Sequence, residues 1–243
     1  YFNNNNMSFL ILVRHGQSVW NLEQKFTGWV DVDLSEKGRL EAEKAASLIK
    51  KQNIKIDFYY SSFQLRANNT LKIIKKILKD EKKFIKAWQL NERHYGALTG
   101  LNKIEMNKKL GEKEVYEFLR SWDVKPEPLD KQSIYHPRNI EIYKEIPIDL
   151  IPDTESLKDT YDRVLNYYKK EIEKKLVNKN VLISAHGNSI RALCKYLFKL
   201  DDDLISNLEI PTGNPLVIKT GDEIKIESCE YLDKDRAKNL LVF

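Results

Sequence analysis

Apolar residues in this chain follow two patterns: short continuous runs, and longer stretches in which they recur every three or four positions. The short runs lie at residues 9–13, 54–60, 84–88 and 181–184. They are too brief for helices and predict buried strands. The periodic stretches, at residues 35–52, 66–78, 157–176 and 190–198, predict helices, with Ser35 and Thr154 as expected caps. Strands that alternate with helices predict a parallel sheet with helices on its faces.

Three segments depart from this alternation. Residues 19–29 mix polar and aromatic side chains, which predicts a surface loop beside the end of the first strand. Residues 123–152 are rich in proline and charge, which predicts an irregular excursion over the sheet. Apolar runs at 216–219 and 223–228, on either side of Gly221, predict a hairpin at one edge. The predicted fold class is α/β: three α/β/α layers around a mostly parallel central sheet, with one antiparallel edge strand.

Length and composition set the domain organisation. The 243 residues, 42% hydrophobic and 32% charged, suit a soluble globular protein with ample length for a core. We expect one domain over residues 7–243. The asparagine-rich residues 1–6, which precede Met7, are interpreted as a tag remnant or a disordered leader.

Charge and cysteine content limit the cellular compartment in which the protein is expected and the classes of molecule that it is expected to bind. No apolar run reaches the length of a membrane span, and two widely separated cysteines suit a reducing compartment, so we expect a cytoplasmic protein. The net charge of +5 comes from lysines interleaved with acidic residues, with no basic and aromatic surface typical of nucleic-acid binding. A small acidic substrate is the partner that this balance favours.

The first strand runs directly into Arg14, His15 and Gly16. Ligands of open α/β sheets bind beyond the carboxyl ends of strands, and Gly16 allows the backbone to turn there. Arg14 provides a planar, always-charged group suited to phosphate, and His15 provides a nitrogen nucleophile near neutral pH. The pattern indicates phosphoryl transfer onto histidine, although a strand followed by a solvated turn explains these three residues equally well on their own.

A second strand ends in the same way, because residues 181–184 are followed by His186 and Gly187. If both strands are central and parallel, the two histidines lie at one edge of the sheet. Arg66 follows the second strand and Glu92 follows the third, so both are expected at the same edge. The alternative is that His15 and His186 are ordinary core histidines with satisfied hydrogen bonds and no catalytic role. Two arginines and one glutamate around the same point make this alternative a poor explanation.

These residue types supply the parts of a phosphoryl-transfer site. A phosphoryl group in transfer carries charge on its oxygens, which Arg14, Arg66 and His186 are suited to bind. His15 is the candidate nucleophile, and Glu92 is the candidate proton donor and acceptor. The spacing of the four histidines does not match a metal site, so we expect no metal. Of the remaining histidines, His94 is interpreted as structural and His136 as solvent-exposed.

Several motifs, in order along nearly the whole chain, closely resemble the cofactor-dependent phosphoglycerate mutases, a branch of the histidine phosphatase superfamily. They are Arg14-His15-Gly16, Phe26-Thr27-Gly28-Trp29, Asn91-Glu92-Arg93-His94-Tyr95-Gly96, Gly100-Leu101-Asn102-Lys103, Ser156-Leu157-Lys158-Asp159-Thr160, Ala185-His186-Gly187-Asn188-Ser189 and Ile210-Pro211-Thr212-Gly213. The first motif marks only the superfamily, whereas those at 91–96 and 100–103 are specific to the mutase branch.

The resemblance implies an activity and a set of ligands. The family moves phosphate between the 2- and 3-hydroxyls of glycerate in glycolysis and gluconeogenesis, through phosphohistidine, with 2,3-bisphosphoglycerate as primer and without metal. It implies that His15 carries the phosphoryl group, Glu92 exchanges the proton, and His186 stabilises the group in transfer. It further implies substrate contacts from Arg14, Ser18, Asn21, Thr27, Gly28, Arg66, Arg93, Tyr95, Lys103, Arg120, Gly187 and Asn188.

Three features differ from the family pattern. Leu119 stands where the family usually has the first of two adjacent arginines, the second being Arg120. Lys25 stands where arginine is common, which replaces a planar fork by a point charge. The sequence also stops before the basic, glycine-containing tail of many members. We expect weaker binding of the distal substrate anion and easier access of water to phosphohistidine.

Two other functions remain open from the sequence. One is a broad phosphomonoesterase that uses the same phosphohistidine, against which the motifs at 91–96 and 100–103 weigh. The other is a non-catalytic phosphate-sensing scaffold, which would have no need of all five of His15, His186, Arg14, Arg66 and Glu92. The expected partners are small phosphoglycerates, with neither nucleic acid nor membrane, and a homodimer is the oligomer considered.

Overall fold

A computed structural model describes residues 7–238. The interpreted leader at 1–6 and the C-terminal residues 239–243 lie outside the described residues. The strands of the described part are β1 (Ser8–Arg14), β2 (Phe58–Ser61), β3 (Ile85–Lys86), β4 (Val181–Ala185), β5 (Leu216–Thr220) and β6 (Ile226–Tyr231). Its α-helices are α1 (Val19–Leu22), α2 (Glu36–Lys51), α3 (Leu65–Leu78), α4 (Lys103–Leu110), α5 (Glu112–Arg120), α6 (Leu157–Tyr167), α7 (Gly187–Leu197) and α8 (Asp202–Asn207).

The strands form one sheet in the order β3-β2-β4-β1-β5-β6. β1, β4, β2 and β3 pair in parallel, whereas β5 runs antiparallel to both β1 and β6. The β5–β6 hairpin therefore forms one edge, as predicted, and the mostly parallel α/β class is confirmed. The two strands followed by histidine, β1 and β4, are adjacent at the centre.

Helices cover both faces of this sheet. Successive residues of β1 point to opposite faces, as in any strand. Leu10 and Leu12 pack with residues of α6 and α7 in one apolar cluster, while Ile11 and Val13 pack with residues of α2 and α3 in another. Because both faces are buried, β1 is a continuous apolar run rather than an alternating one, and the predicted three-layer arrangement is confirmed.

Local details of two elements differ from the predictions. The predicted strand at 84–88 is reduced to β3, because Trp88–Leu90 forms a 3₁₀ turn. The helical stretch at 157–176 is α-helical only to Tyr167 and continues as a π turn and a 3₁₀ turn. Its cap is Ser156 rather than Thr154: the Ser156 hydroxyl accepts from the Asp159 N–H at 3.1 Å, and the Asp159 carboxylate accepts from the Ser156 N–H at 2.8 Å. This reciprocal capping box satisfies two N–H groups, which a lone threonine could not do.

The predicted surface position of residues 19–29 holds for residues 19–25, which are exposed or half-buried, and was wrong for residues 26–29, which are buried. The predicted exposure of His136 was also wrong. Phe26 and Trp29 are fully buried, because the excursion at 123–152 and the segment around Tyr95 cover them. Within the excursion, the Tyr143 hydroxyl donates to the Trp29 carbonyl at 2.6 Å. His136 is 1% exposed, and its Nε2 lies 2.9 Å from the Asp153 carboxylate. Phe26, Trp29 and His136 are therefore buried by contacts with segments that are distant in the sequence.

Candidate active site

The parallel pairing of β1 with β4 places His15 beside His186. Arg14 is opposite Ala185 in the register, and the His15 N–H donates to the Ala185 carbonyl at 3.0 Å. The two imidazole centroids lie 5.0 Å apart, and both rings are buried. The predicted meeting of the two histidines at one edge of the sheet is therefore observed.

The His15 imidazole, the candidate nucleophile, is held in a neutral form with a defined tautomer. Its Nδ1 lies 2.6 Å from the Gly16 carbonyl. Because a carbonyl only accepts, Nδ1 carries the proton and the lone pair is on Nε2. Burial, with smaller contributions from Arg66 and Arg14, lowers the pKa of His15 well below its usual value. Any Cβ at position 16 would lie 2.1 Å from the Gly38 carbonyl, so only glycine permits this approach of the loop to α2.

His186 is also buried, and its neighbour is a residue that the sequence did not single out. Its Nε2 lies 2.7 Å from the Ser62 hydroxyl, which itself accepts from the Gln64 N–H at 3.1 Å. The Ser62 proton is thus available for His186 Nε2. Burial, followed by the charge of Arg66, lowers the pKa of His186 well below its usual value. Both histidines are therefore neutral at neutral pH.

Arg66 and Arg14 contribute positive charge from two sides. Arg66, in the first turn of α3, is buried and donates to the carbonyls of Gly28 at 2.9 Å and Val30 at 3.0 Å. It therefore fixes the loop that carries Thr27 and Gly28 as well as charging the site. Arg14 donates through one terminal nitrogen to the Ile210 carbonyl at 2.7 Å, while its Nε is buried without a hydrogen-bond partner among the described residues.

Glu92 is held through one oxygen of its carboxylate. Oε1 accepts from the Arg93 N–H at 2.7 Å and from the Asn188 side-chain amide at 2.8 Å. Oε2 accepts no hydrogen bond from residues 7–238 and lies 3.8 Å from the position that a Cβ on Gly187 would take. The side chain is therefore oriented while one oxygen stays available for a proton.

A buried ion pair supports the segment that carries Glu92. The Arg163 guanidinium bonds the Glu155 carboxylate at 2.6 and 2.9 Å. It also donates to the carbonyls of Gln89, Asn91 and Glu92 at 2.7–3.0 Å, and Glu155 accepts from the His94 N–H at 2.8 Å. Sequence reasoning missed this pair, since its partners lie about 60 to 75 positions away. We infer that it positions Glu92 through the backbone.

Two adjoining cavities open at these residues, and both are lined by Arg14, Glu92, Tyr95 and Lys103. The smaller, about 50 Å³, is completed by His15, Asn21, Lys25, Thr27, Gly28 and Arg66. The larger, about 340 Å³, is completed by Leu119, Arg120, Gly187, Asn188, Arg191, Glu209, Ile210, Pro211 and Arg236. The smaller cavity thus contains His15, the candidate nucleophile, and the larger extends away from it.

Three of the predicted site residues line neither cavity. Ser18 caps α1, its hydroxyl accepting from the Asn21 N–H at 3.1 Å. Arg93 lies under the Tyr95 ring, 4.8 Å from its centroid, and donates to the Phe118 carbonyl. His186 lies behind His15, against Ser62. Each of the three residues thus contacts or adjoins residues that line the cavities, and direct ligand contact from Ser18 and Arg93 stays a prediction.

The cavity lining carries more positive than negative charge. The larger cavity is lined by the cations Arg14, Lys103, Arg120, Arg191 and Arg236, against the carboxylates Glu92 and Glu209. Burial lowers the pKa of Lys103, and burial together with Arg93 and Arg120 lowers the pKa of Arg191 to about 9. A bound anion would relieve this crowding of cations. The arrangement is that of a site for a small molecule with at least two anionic groups.

Sequence reasoning missed Arg191, Glu209 and Arg236 as lining residues. Arg191 lies one helical turn after Asn188, and the two side chains bond at 2.9 Å, so helical spacing offered a signal for it. Glu209 and Arg236 gave no comparable signal, because neither is part of a periodic pattern.

We expect the free energy of unfolding to fall as the pH drops below about 6.5. Burial, opposed only by Asp153, lowers the pKa of His94 to about 3, with His136 and Arg163 acting in the same direction. The unfolded chain therefore binds more protons between these values, which costs up to about 1.4 kcal/mol per pH unit for each such histidine. Urea unfolding at pH 7.5, 6.5 and 5.5 measures this slope.

His94→Asn is the variant whose pH dependence of unfolding is compared with that of the unmodified protein. The asparagine amide oxygen can still accept the hydrogen bond that the Gly96 N–H now donates to His94 Nδ1 at 3.0 Å. The variant should reduce the slope below pH 6.5 by the contribution of one histidine, because His15 and His186, whose pKa values are also lowered, remain. An unchanged slope would show that His94 does not stay neutral in the folded protein.

Comparisons with known proteins agree with this geometry. The model of the histidine phosphatase superfamily (branch 1) matches residues 10–146 and 129–225. A 2,3-bisphosphoglycerate-dependent phosphoglycerate mutase of Pelagibacter ubique is 66% identical over 238 residues, which cover 98% of this chain and all of that protein. A protein of the same name from Xylella fastidiosa is 46% identical over 94% of this chain and 93% of its own length.

Solved structures with lower identity share the fold. A mycobacterial glucosyl-3-phosphoglycerate phosphatase has a TM-score of 0.67 at 22% identity, over 92% of this chain and 97% of its own. The Bacillus stearothermophilus protein YhfR has the same TM-score and identity over 90% of this chain and 94% of its own. These likenesses concern the architecture of the chain alone.

Proposed function

Because the chain belongs to the histidine phosphatase superfamily, branch 1, we propose that its two cavities form the site of a 2,3-bisphosphoglycerate-dependent phosphoglycerate mutase. The reaction interconverts 3-phosphoglycerate and 2-phosphoglycerate through phosphohistidine, as in glycolysis and gluconeogenesis. The observation that supports it best is the pair of adjoining cationic cavities, with His15 in one and Glu92 shared by both. A substrate with a phosphate at one end and a carboxylate at the other matches this division.

The residues of the smaller cavity divide the phosphoryl transfer among them. The lone pair on His15 Nε2 attacks phosphorus, and the bond from phosphorus to the hydroxyl oxygen of glycerate breaks. Glu92 gives its proton to that oxygen, and takes a proton from the 2- or 3-hydroxyl when the phosphoryl group leaves the histidine. Arg14 and Arg66 stabilise the charge on the phosphoryl oxygens, and His186 supports them from behind His15.

The donor set fits the primer. Arg14 Nε is buried and unpartnered among the described residues. Lys103 is half-buried, lines the same cavities and has no carboxylate partner within residues 7–238. When bound, 2,3-bisphosphoglycerate supplies the phosphoryl group that loads His15. Arg14, Arg66 and Asn21 would hold one end, and Tyr95, Lys103, Arg120 and Asn188 the other.

The same proposal assigns a location and partners. The small phosphoglycerates are metabolites of the cytoplasm, so we place the enzyme there, with these small molecules as its partners and without nucleic-acid or membrane partners. No helix within residues 7–238 is both long and apolar enough to cross a bilayer.

An assay with 3-phosphoglycerate, with and without 2,3-bisphosphoglycerate, tests the proposed function. The proposal requires formation of 2-phosphoglycerate that depends on the primer. A protein that instead releases phosphate from varied phosphomonoesters, and forms no 2-phosphoglycerate, would be the alternative phosphatase.

Mutase activity should be unaffected by EDTA. The charge on the transferring group is met here by Arg14, Arg66 and Lys103, and no cluster of three or more potential ligand residues within 7–238 is placed to hold a metal ion. Turnover is measured before and after dialysis against the chelator. Loss of activity that manganese restores would contradict this expectation.

Replacing Leu119 with arginine should tighten phosphoglycerate and slow the release of phosphate from 2,3-bisphosphoglycerate. Leu119 lines the larger cavity, so the new guanidinium would face the distal anion. A charge-assisted contact is worth about 1.5 kcal/mol or more, so we expect KM to fall on the order of ten-fold. Tyr116→Arg is the matched control, because Tyr116 is an exposed residue of the same helix that lines neither cavity. Equal KM values for the Leu119 variant and the unmodified protein at one ionic strength would show that this position does not reach the substrate.

A further inference from the structure

One cation of the larger cavity is already paired with a carboxylate of the same cavity. Arg120, at the end of α5, places one terminal nitrogen 2.7 Å from Glu209 Oε1 and the other 3.3 Å from the Leu208 carbonyl. Both Arg120 and Glu209 line the cavity. Both terminal nitrogens of the Arg120 guanidinium, which could otherwise bind a ligand carboxylate in a bidentate pair, are therefore already engaged by the protein itself.

The other lining cations differ in this respect. Arg191 is held by backbone carbonyls and by Asn188, and Arg236 is held by Asp233 and the Thr212 carbonyl. None of these partners is a carboxylate that lines the cavity. Within the described part of the chain, Arg120–Glu209 is thus an ion pair whose two partners both line this cavity.

The pair contributes little to folding, because it lies at the mouth of the cavity. The Glu209 side chain is 59% exposed and that of Arg120 is 27% exposed. Ion pairs in such positions stabilise proteins by about 1 kcal/mol or less. Leu119 precedes Arg120, lines the same cavity and carries no charge. The affinity of this wall of the cavity for an anion therefore depends strongly on whether Arg120 is paired with Glu209.

We propose that Glu209 sets the affinity for the distal carboxylate of the substrate by competing with it for Arg120. This proposal rests on the proposed function. When 3-phosphoglycerate binds, its carboxylate takes the place of Glu209 on the guanidinium, and the Glu209 side chain turns to solvent. Glu209 is therefore an affinity- and specificity-determining residue that takes no part in the chemistry.

The direct test is Glu209→Gln, which keeps the size of the side chain and removes its charge. The dissociation constant for 3-phosphoglycerate, measured by calorimetry, should fall about five-fold, and KM should fall with kcat unchanged. Glycerol 3-phosphate, which has a hydroxymethyl group in place of the carboxylate, should bind both proteins equally. The gain should shrink at high ionic strength.

Two further variants separate competition for Arg120 from a general change of charge. Glu114→Gln removes an exposed charge from α5 away from the cavity and should leave the affinity unchanged. In an Arg120→Met background, Glu209→Gln should give no gain. A gain that persists without Arg120, or that extends to glycerol 3-phosphate, would overturn the proposal.

The unmodified protein is assayed first, so that two failures can be told apart. If it forms no 2-phosphoglycerate in the presence of primer, the proposed function fails. If it is an active mutase and Glu209→Gln binds 3-phosphoglycerate no more tightly, the assignment of Glu209 fails by itself.

Discussion

The His15→Ala variant should carry no phosphohistidine and should lose mutase turnover by about 10⁴- to 10⁶-fold, the scale seen when a nucleophile is removed. The reason lies in the tautomer: the Gly16 carbonyl fixes the proton on Nδ1, so the nucleophilic lone pair is on Nε2 of this ring. His186 cannot replace it, because its own Nε2 is engaged with Ser62.

Incubation with labelled 2,3-bisphosphoglycerate measures the first half of this expectation. The unmodified protein should retain phosphate that is labile in acid and stable in alkali, as expected of a phosphorus–nitrogen bond. His94→Asn, which changes a buried histidine that lines neither cavity, should label normally. Label that survives in His15→Ala would move the nucleophile to another residue, with His186 the first to examine.

The Glu92→Gln variant should bind phosphoglycerate almost normally and turn it over about 10²- to 10⁴-fold more slowly. The amide oxygen can keep the hydrogen bonds that Oε1 now accepts from Arg93 and Asn188, so the shape of the site persists. The amide cannot take up or release a proton at the position of Oε2. The loss should therefore fall on kcat, with little change in KM.

Binding and turnover are measured separately for this variant, by calorimetry and by the primed mutase assay. Glu105→Gln is the matched control: Glu105 is an exposed carboxylate on α4 that lines neither cavity. Near-normal turnover of Glu92→Gln would mean that another group moves the proton. A collapse of binding together with turnover would assign Glu92 a structural role instead.

Several features of the site depend on contacts between residues that are far apart in the sequence, which no local sequence pattern predicts. Ser62 meets His186 across 124 positions, and Arg163 reaches the carbonyls of residues 89–92 from the second half of the chain. Serine and arginine occur on many surfaces, so only the folded chain distinguishes these two. The capping box of Ser156 and Asp159 is different, because its spacing is local and could have been predicted in place of the Thr154 cap.

The sequence by itself determined the central strands and the residues that follow them. Five apolar residues in a row have to be buried on both faces, and chirality and short connections make such strands parallel when helices lie between them. For this reason the order of strands and helices was enough to place His15 and His186 at one edge of the sheet. The same reasoning placed Arg66 and Glu92 nearby.

Only the tertiary structure decided which side chains are covered and which already have partners. Trp29 and His136 are buried because segments more than a dozen residues away fold over them, and Arg120 is paired because the 208–209 segment comes within reach of α5. Burial and ion pairing are properties of the neighbours in space, whereas hydrophobic periodicity reports only on neighbours along the chain. The meeting of His15 with His186 was therefore predictable from the sequence, and the full lining of the larger cavity was not.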